Sequence, residues 1–158
     1  MTVDGFVGGP EGQLDWMTWN HSDELIAFIN HVTDTSDTIL LGRKMTPGFV
    51  SYWESVKPDS AESTFAQKMV GMQKVVFSRT LDRVDGKNIR VHKGDLVEGV
   101  KAIKSQQGKD VVVYGGATFV SSLLEHNLID ELNLFVNPAE IGKGLRIFRG
   151  RKPLRVDT

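Results

Sequence analysis

The chain has 158 residues, enough for one domain with a single substantial core and too few for two independent ones. Charged residues make up 25% and hydrophobic residues 40%; the net charge of -1 removes the electrostatic case for nucleic acid or an anionic membrane surface and leaves a small molecule as the expected partner. The absence of cysteine excludes disulfides, thiol chemistry and cysteine-ligated metals, and with no apolar run of membrane-spanning length and no secretory pattern at the start, the expected location is the cytoplasm.

Met1 to Trp19 is rich in turn residues, with Asp4-Gly5, Gly8-Gly9-Pro10 and Glu11-Gly12 separating Phe6, Leu14, Trp16 and Trp19. It reads as a loop with aromatic anchors, either a cover for a planar ligand or a packed surface loop. Ser22 supplies an N-cap for a helix whose apolar face is Leu25, Ile26, Phe28, Ile29 and Val32, running to about Thr33. Thr38-Ile39-Leu40-Leu41 is a short buried strand that ends at Gly42-Arg43-Lys44. Thr46-Pro47 then has the form of an N-cap followed by proline at the first helical position, with Phe49, Val50, Trp53 and Val56 continuing the helix. Arg43 and Lys44 stand at that helix mouth, where they either reinforce anion binding or are ordinary solvated charges.

A linker around Pro58 leads to a short helix carrying Phe65, Met69 and Met72, then to the strand Lys74-Val75-Val76-Phe77. Ser78-Arg79-Thr80 follows it, and two hydroxyls flanking a guanidinium at a strand end suit a phosphate monoester such as the 2′-phosphate of NADPH. Asp95 and Glu98 resemble a capping box for a helix buried through Leu96, Val97, Val100 and Ile103, with Gly108 as its stop. Val111-Val112-Val113-Tyr114 is another buried strand, closed by Gly115-Gly116. Phe119, Val120, Leu123 and Leu124 then recur at helical spacing up to about Asn127, and Leu132 to Val136 is expected to resume as a strand, making a βαβ unit. A glycine pair between a strand and a helix N-terminus lets an anion such as pyrophosphate approach free backbone N–H groups, although the same pair also serves as a plain tight turn. Repeated strand-helix alternation predicts an α/β fold in one domain spanning 1-158: three layers, with a mostly parallel central sheet flanked by helices.

Four histidines, His21, His31, His92 and His126, lack metal-ligand spacing, so no metal site is expected and each reads as an ordinary surface or core residue. Gly142-Lys143-Gly144 lacks the context of a phosphate loop and reads as a turn. The sequon Asn20-His21-Ser22 is accounted for by the helix cap.

Taken in order, Val3-Asp4-Gly5-Phe6, Leu40-Leu41-Gly42-Arg43-Lys44, Val75-Val76-Phe77-Ser78-Arg79-Thr80, Tyr114-Gly115-Gly116-Ala117 and Leu128-Ile129-Asp130-Glu131-Leu132, followed by Pro138 and Ile141-Gly142-Lys143-Gly144, carry a resemblance. Over almost its whole length the chain resembles the dihydrofolate-reductase-like superfamily, most closely short bacterial proteins related to the C-terminal reductase domain of the bifunctional riboflavin-biosynthesis enzyme. The resemblance implies NADPH bound across the carboxyl edge of the sheet, with pyrophosphate at Gly42-Arg43-Lys44 and Gly115-Gly116-Ala117 and the 2′-phosphate near Ser78-Arg79-Thr80. It also implies hydride transfer to a pyrimidine-ribosylamine or pterin-like substrate, while a carboxyl group or a water supplies a proton.

Asp4 is the candidate for that proton chemistry, with turn capping as its other reading, and Asp15-Trp16 is a candidate substrate wall. Met45 departs from the threonine common after Gly-Arg-Lys, and Gly48 falls near where an acidic residue often stands; Thr46 is expected to compensate for the missing hydroxyl. Dihydrofolate-reductase-type activity and a catalytically silent nucleotide-binding module stay open beside the riboflavin-pathway reductase. Only Met1-Thr2-Val3 precede Asp4 and the tail stops after Pro153 to Thr158, so either a truncated sequence or a homodimer covering an exposed sheet edge is expected.

Overall fold

Runs of adjacent β-branched and leucine side chains build a parallel sheet, because strands covered on both faces need apolar residues at every position. The computed structural model describes residues 1–18 and 22–150; the expectations for Trp19, His21, the sequon and the C-terminal tail lie wholly or partly outside them. The chain divides into two compact units, one formed by Asn20–Gly116 and the other by Met1–Trp19 with Ala117–Thr158.

The first unit holds α1 (Asp23–Asp34), β1 (Ser36–Gly42), α2 (Thr46–Ser55), α3 (Ser63–Gly71), β2 (Gln73–Phe77), β3 (Ile89–His92), α4 (Leu96–Lys104) and β4 (Asp110–Gly115). Its four strands lie in the order β3-β2-β1-β4, and every pairing is parallel. Ile39, Leu41 and Val76 are wholly buried in one cluster with Phe49 of α2 and Met69 of α3, so the β1-to-β2 crossover covers that face. The β3-to-β4 crossover runs the opposite way along the sheet. Right-handed connections running in opposite directions put their helices on opposite faces, which gives α4, with Val100 and Ile103 buried, the third layer.

Caps fix the helix ends. Ser22 Oγ accepts the Leu25 N–H at 3.2 Å and Asp95 Oδ1 accepts the Glu98 N–H at 3.0 Å, as the sequence predicts. Other expectations need correction. Thr46 is the first residue of α2 and Met45 its N-cap; Thr46 turns its hydroxyl inward and donates to the Gly42 carbonyl at 3.0 Å. Helix α4 stops at Lys104 with Ser105 as its cap, well before Gly108. Gly108 serves close approach instead, since a Cβ there would lie 2.7 Å from Asp37 Oδ2. On α1 the apolar stripe is incompletely covered: Ile26 and Phe28 remain exposed, and Thr33 is the buried residue.

The C-terminus of α3 is closed by a buried cation. Lys74 Nζ donates to the carbonyls of Met69, Val70 and Met72 at 2.9, 3.0 and 2.8 Å, using its three donors on helix-end acceptors. Lys74→Met should therefore lower stability by roughly 2 kcal/mol in urea unfolding, because it keeps the apolar stem but strands those acceptors.

In the second unit, α5 (Ala117–Glu125) ends in a left-handed turn at Asn127, where φ is 53°. The expected strand over Leu132 to Val136 is not formed, so β4 and α5 do not continue into a βαβ unit. Its sequence is strand-like, yet its neighbours are the first residues of the chain rather than a sheet: Thr2 forms an isolated parallel bridge with Asn137, and Gly8 an antiparallel one with Leu145. Leu134, Phe135 and Val136 are consequently exposed.

Candidate functional site

Strand order locates the place where this sheet can take a ligand. From β1 the chain proceeds to β2 on one side, while β4 lies on the other, so the carboxyl ends of β1 and β4 flank a topological switch point. Leu41 pairs with Gly115 and Gly42 with Phe77. The three junctions singled out in the sequence, after Gly42, Phe77 and Gly115, therefore leave the sheet side by side along an edge of about 10 Å, two inter-strand spacings.

At the β1 end the Gly42 carbonyl accepts the Met45 N–H at 3.1 Å and the Thr46 hydroxyl from beneath, which shapes a tight turn over Arg43 and Lys44. Both cations are exposed, and neither forms an ion pair among the described residues. Thr46 is wholly buried with its hydrogen already donated, so it supports the turn and offers no hydroxyl outward. Facing this turn, Gly115 adopts φ +128°, a conformation that L side chains rarely take. A Cβ on Gly115 would stand 3.1 Å from Met45 Sδ, whereas one on Gly116 would meet Met45 Cβ at 3.9 Å, ordinary contact. The fold thus requires glycine at Gly115. At Gly116 the fold itself leaves the space free.

At the β2 end Ser78 Oγ accepts the N–H groups of Thr80 and Leu81 at 3.2 and 3.1 Å, so its own hydrogen is left for Thr80 Oγ1, 3.4 Å away, or for a ligand oxygen. Arg79 and Thr80 are exposed. Two nearby cations are engaged, Arg83 with Asp85 and Lys93 with Asp82; Arg79 has no ion-pair partner among the described residues.

Beside this end lies β3, a strand absent from the sequence reading, which brings His92 against Phe77 with ring centroids 4.9 Å apart. Its Nε2 is bonded to the Asp95 carbonyl at 3.1 Å, and a Cβ on Gly99 would approach that nitrogen to 2.4 Å. A glycine inside the apolar pattern of α4 was the available signal that a ring packs there.

The remaining candidates belong to the other unit. Asp4 Oδ2 accepts the N–H groups of Gly142 and Ile141 at 2.8 and 3.3 Å, which clamps the Gly142-Lys143-Gly144 turn. The Thr2 hydroxyl nearby, together with these amides, holds the Asp4 carboxyl below the usual carboxylate range. That hydroxyl directs its own hydrogen bond at the Phe6 carbonyl, and Asp4 Oδ1 is buried without a partner among the described residues. Asp4 is therefore ionised at neutral pH, an acceptor rather than a proton donor. Asp15 is exposed, and the half-buried Trp16 donates its indole N–H to the Gln13 carbonyl at 3.1 Å. Ala117 is the first residue of α5.

A cavity of about 290 Å³ lies away from these strand ends, between α2 and α3, lined by Trp53, Glu54, Pro58, Gln67 and Lys87 among others. It carries none of the candidate residues, so the strand-end chemistry outweighs its volume. Among the described residues there is no cluster suited to a metal ion and no helix long and apolar enough to cross a membrane.

With this geometry in view, the comparisons are specific. A family model described as the RibD C-terminal domain matches residues 1–157. The uncharacterized protein YyaP of Bacillus subtilis (strain 168) is 30% identical over 158 residues, all of this chain and 78% of that protein. A second uncharacterized protein of that strain, YwjB, is 24% identical over 152 residues, 94% of this chain and 78% of the relative. Among solved structures, a putative riboflavin biosynthesis protein from Shewanella sp. PV-4 superposes with TM-score 0.69 at 20% identity, covering 98% of this chain and 82% of its own. A diaminohydroxyphosphoribosylaminopyrimidine deaminase/5-amino-6-(5-phosphoribosylamino)uracil reductase from Thermotoga maritima superposes with TM-score 0.57 at 18% identity, over 93% of this chain and 45% of that one. These two likenesses establish the fold.

Proposed function

The chain belongs to the RibD C-terminal domain family, and from that premise we propose that it is an NADPH-dependent reductase of the riboflavin-biosynthesis type, acting on a pyrimidine-ribosylamine or pterin-like substrate. The observation that carries this reading is the pairing of Leu41 with Gly115, which sets two glycine-lined strand ends side by side at the switch point of the sheet. The residues there fit a dinucleotide. Gly116 keeps a space that the fold does not use, Arg43, Lys44 and Arg79 have no ion-pair partner among the described residues, and Ser78 retains a hydroxyl hydrogen.

In this reading Gly42, Arg43, Lys44, Gly115, Gly116 and Ala117 bind the pyrophosphate, with Thr46 holding the Gly42 turn from below. Ser78, Arg79 and Thr80 bind the 2′-phosphate, where a planar guanidinium donates paired hydrogen bonds to phosphate oxygens. NADPH supplies the hydride when bound. The protein contributes orientation of donor and acceptor, the larger part of such catalysis. Asp4 is the candidate carboxylate for the proton chemistry in this reading, and Asp15 with Trp16 the candidate substrate wall. An assembly of two chains belongs to the same reading, supported by the exposed Leu134, Phe135 and Val136.

A second reading, a nucleotide-binding module without turnover, is favoured by the use of Asp4 as a clamp on the Ile141-Gly142 turn. A screen of NADPH oxidation against pyrimidine-ribosylamine and pterin substrates separates the two. Turnover on either substrate class supports the reductase, and saturable NADPH binding with no oxidation of any substrate supports the module.

A further inference from the structure

We infer that Met45 is a positioning residue that sets the gap between the two strand-end turns of the proposed nucleotide cradle, an inference that rests on the NADPH reading above. Three sets of contacts meet in this one residue. Its backbone closes the β1 turn, with the N–H donating to the Gly42 carbonyl at 3.1 Å and the carbonyl accepting the Phe49 N–H at 3.1 Å, so its Cα is fixed at the N-cap of α2. Its side chain reaches across to the β4 end, where Sδ would lie 3.1 Å from a Cβ on Gly115 and Cβ would lie 3.9 Å from one on Gly116. It also packs, half-buried, on the cluster of Ile39, Leu41 and Phe49, which ties the cradle to the core of the sheet.

The physical consequence is a spacer. Parallel pairing of β1 and β4 reaches only as far as the Leu41–Gly115 register; beyond it no backbone hydrogen bond joins the two turns among the described residues. The thioether fills that space with a side chain soft enough to fit beneath a glycine at φ +128° and long enough to span the distance. A threonine in its place would present a hydroxyl to a phosphate but would leave the volume beneath Gly115 empty. Met45 thus exchanges a polar contact for a mechanical one.

The test is titration calorimetry of NADPH and NADH with the wild type, Met45→Ala and Met45→Leu, alongside their melting temperatures. Removing the spacer should weaken both dinucleotides alike by roughly tenfold, because the pyrophosphate is common to them and misplacement near an ångström is costly. Leucine, close in volume, should restore binding to within about twofold. Wild-type affinity in Met45→Ala, or a loss in that variant that leucine does not restore, would overturn the inference. If Met45→Ala does not fold, methyl-labelled wild-type protein decides the matter. The Met45 methyl resonance, identified by its absence from the spectrum of Met45→Leu, should move on NADPH saturation while that of the wholly buried Met69 does not, and a stationary Met45 signal rejects the proposal. A wild type that binds no NADPH refutes the functional reading itself, and with it the role given to Met45; wild-type binding with an indifferent Met45 refutes only the latter.

Discussion

Gly116→Val is expected to abolish dinucleotide binding while the protein stays folded. The folded chain has room for the substitution, since the nearest atom to a Cβ on Gly116 is Met45 Cβ at 3.9 Å and its backbone does not occupy the left-handed region. The side chain would instead fill the ground over which a pyrophosphate must pass to reach the backbone N–H groups of the turn. Exclusion of the phosphates should weaken binding at least about 100-fold, equivalent to roughly 2.7 kcal/mol. Gly115→Val is the control with the opposite pattern. Its φ of +128° and the 3.1 Å approach to Met45 Sδ should cost roughly 1 to 3 kcal/mol of stability before any ligand is added. Circular dichroism melts paired with calorimetric titrations separate the two, and a Gly116→Val protein that binds NADPH as the wild type does would reduce the glycine pair to a turn.

Arg79→Ala should erase most of the preference for NADPH over NADH. Arg79 is exposed at the end of β2, next to a serine whose Oγ accepts two backbone N–H groups, leaving its hydrogen for Thr80 Oγ1 or a ligand oxygen. A charge-assisted bond to an ionised phosphate contributes about 1.5 to 3 kcal/mol, so the wild type should favour NADPH by about tenfold or more. The variant should lose that margin through NADPH alone, with NADH affinity unchanged. Loss of affinity for both dinucleotides in equal measure would assign Arg79 to general attraction rather than to the 2′-phosphate.

What the sequence discloses here follows burial. Ile39-Leu40-Leu41 and Val75-Val76 read as buried strands because a parallel sheet covered on both faces favours apolar residues throughout; Val111-Val112-Val113 also forms a strand, but at the sheet edge it is half-buried rather than buried. Ile89 to His92 is not legible as a strand because an edge strand of four residues with Arg90 and His92 alternating carries too little apolar signal. At Leu132 to Val136 composition favours a strand but pairing is decided by neighbours, and the neighbours are residues near Met1, which pair only through the isolated Thr2–Asn137 and Gly8–Leu145 bridges among the described residues. Local pattern likewise placed a cap on Thr46. Only the three-dimensional turn shows that its hydroxyl is spent on the Gly42 carbonyl and that Met45 occupies the cap. The distinction between Gly115 and Gly116 was also out of reach, since it rests on a φ angle and on a contact with a side chain 70 residues away in sequence. The three polar junctions themselves were legible, because glycines, cations and hydroxyls immediately after apolar runs mark strand ends whatever the topology.

The central claim is that a dinucleotide lies across the carboxyl ends of β2, β1 and β4. Mapping backbone amide shifts of the 17.6 kDa protein during NADPH titration tests it most directly. The account predicts saturable changes at Gly42 to Met45, Ser78 to Thr80 and Gly115-Gly116, with the α2–α3 cavity around Trp53 and Gln67 undisturbed. Changes confined to that cavity, or none at saturating nucleotide, would contradict it.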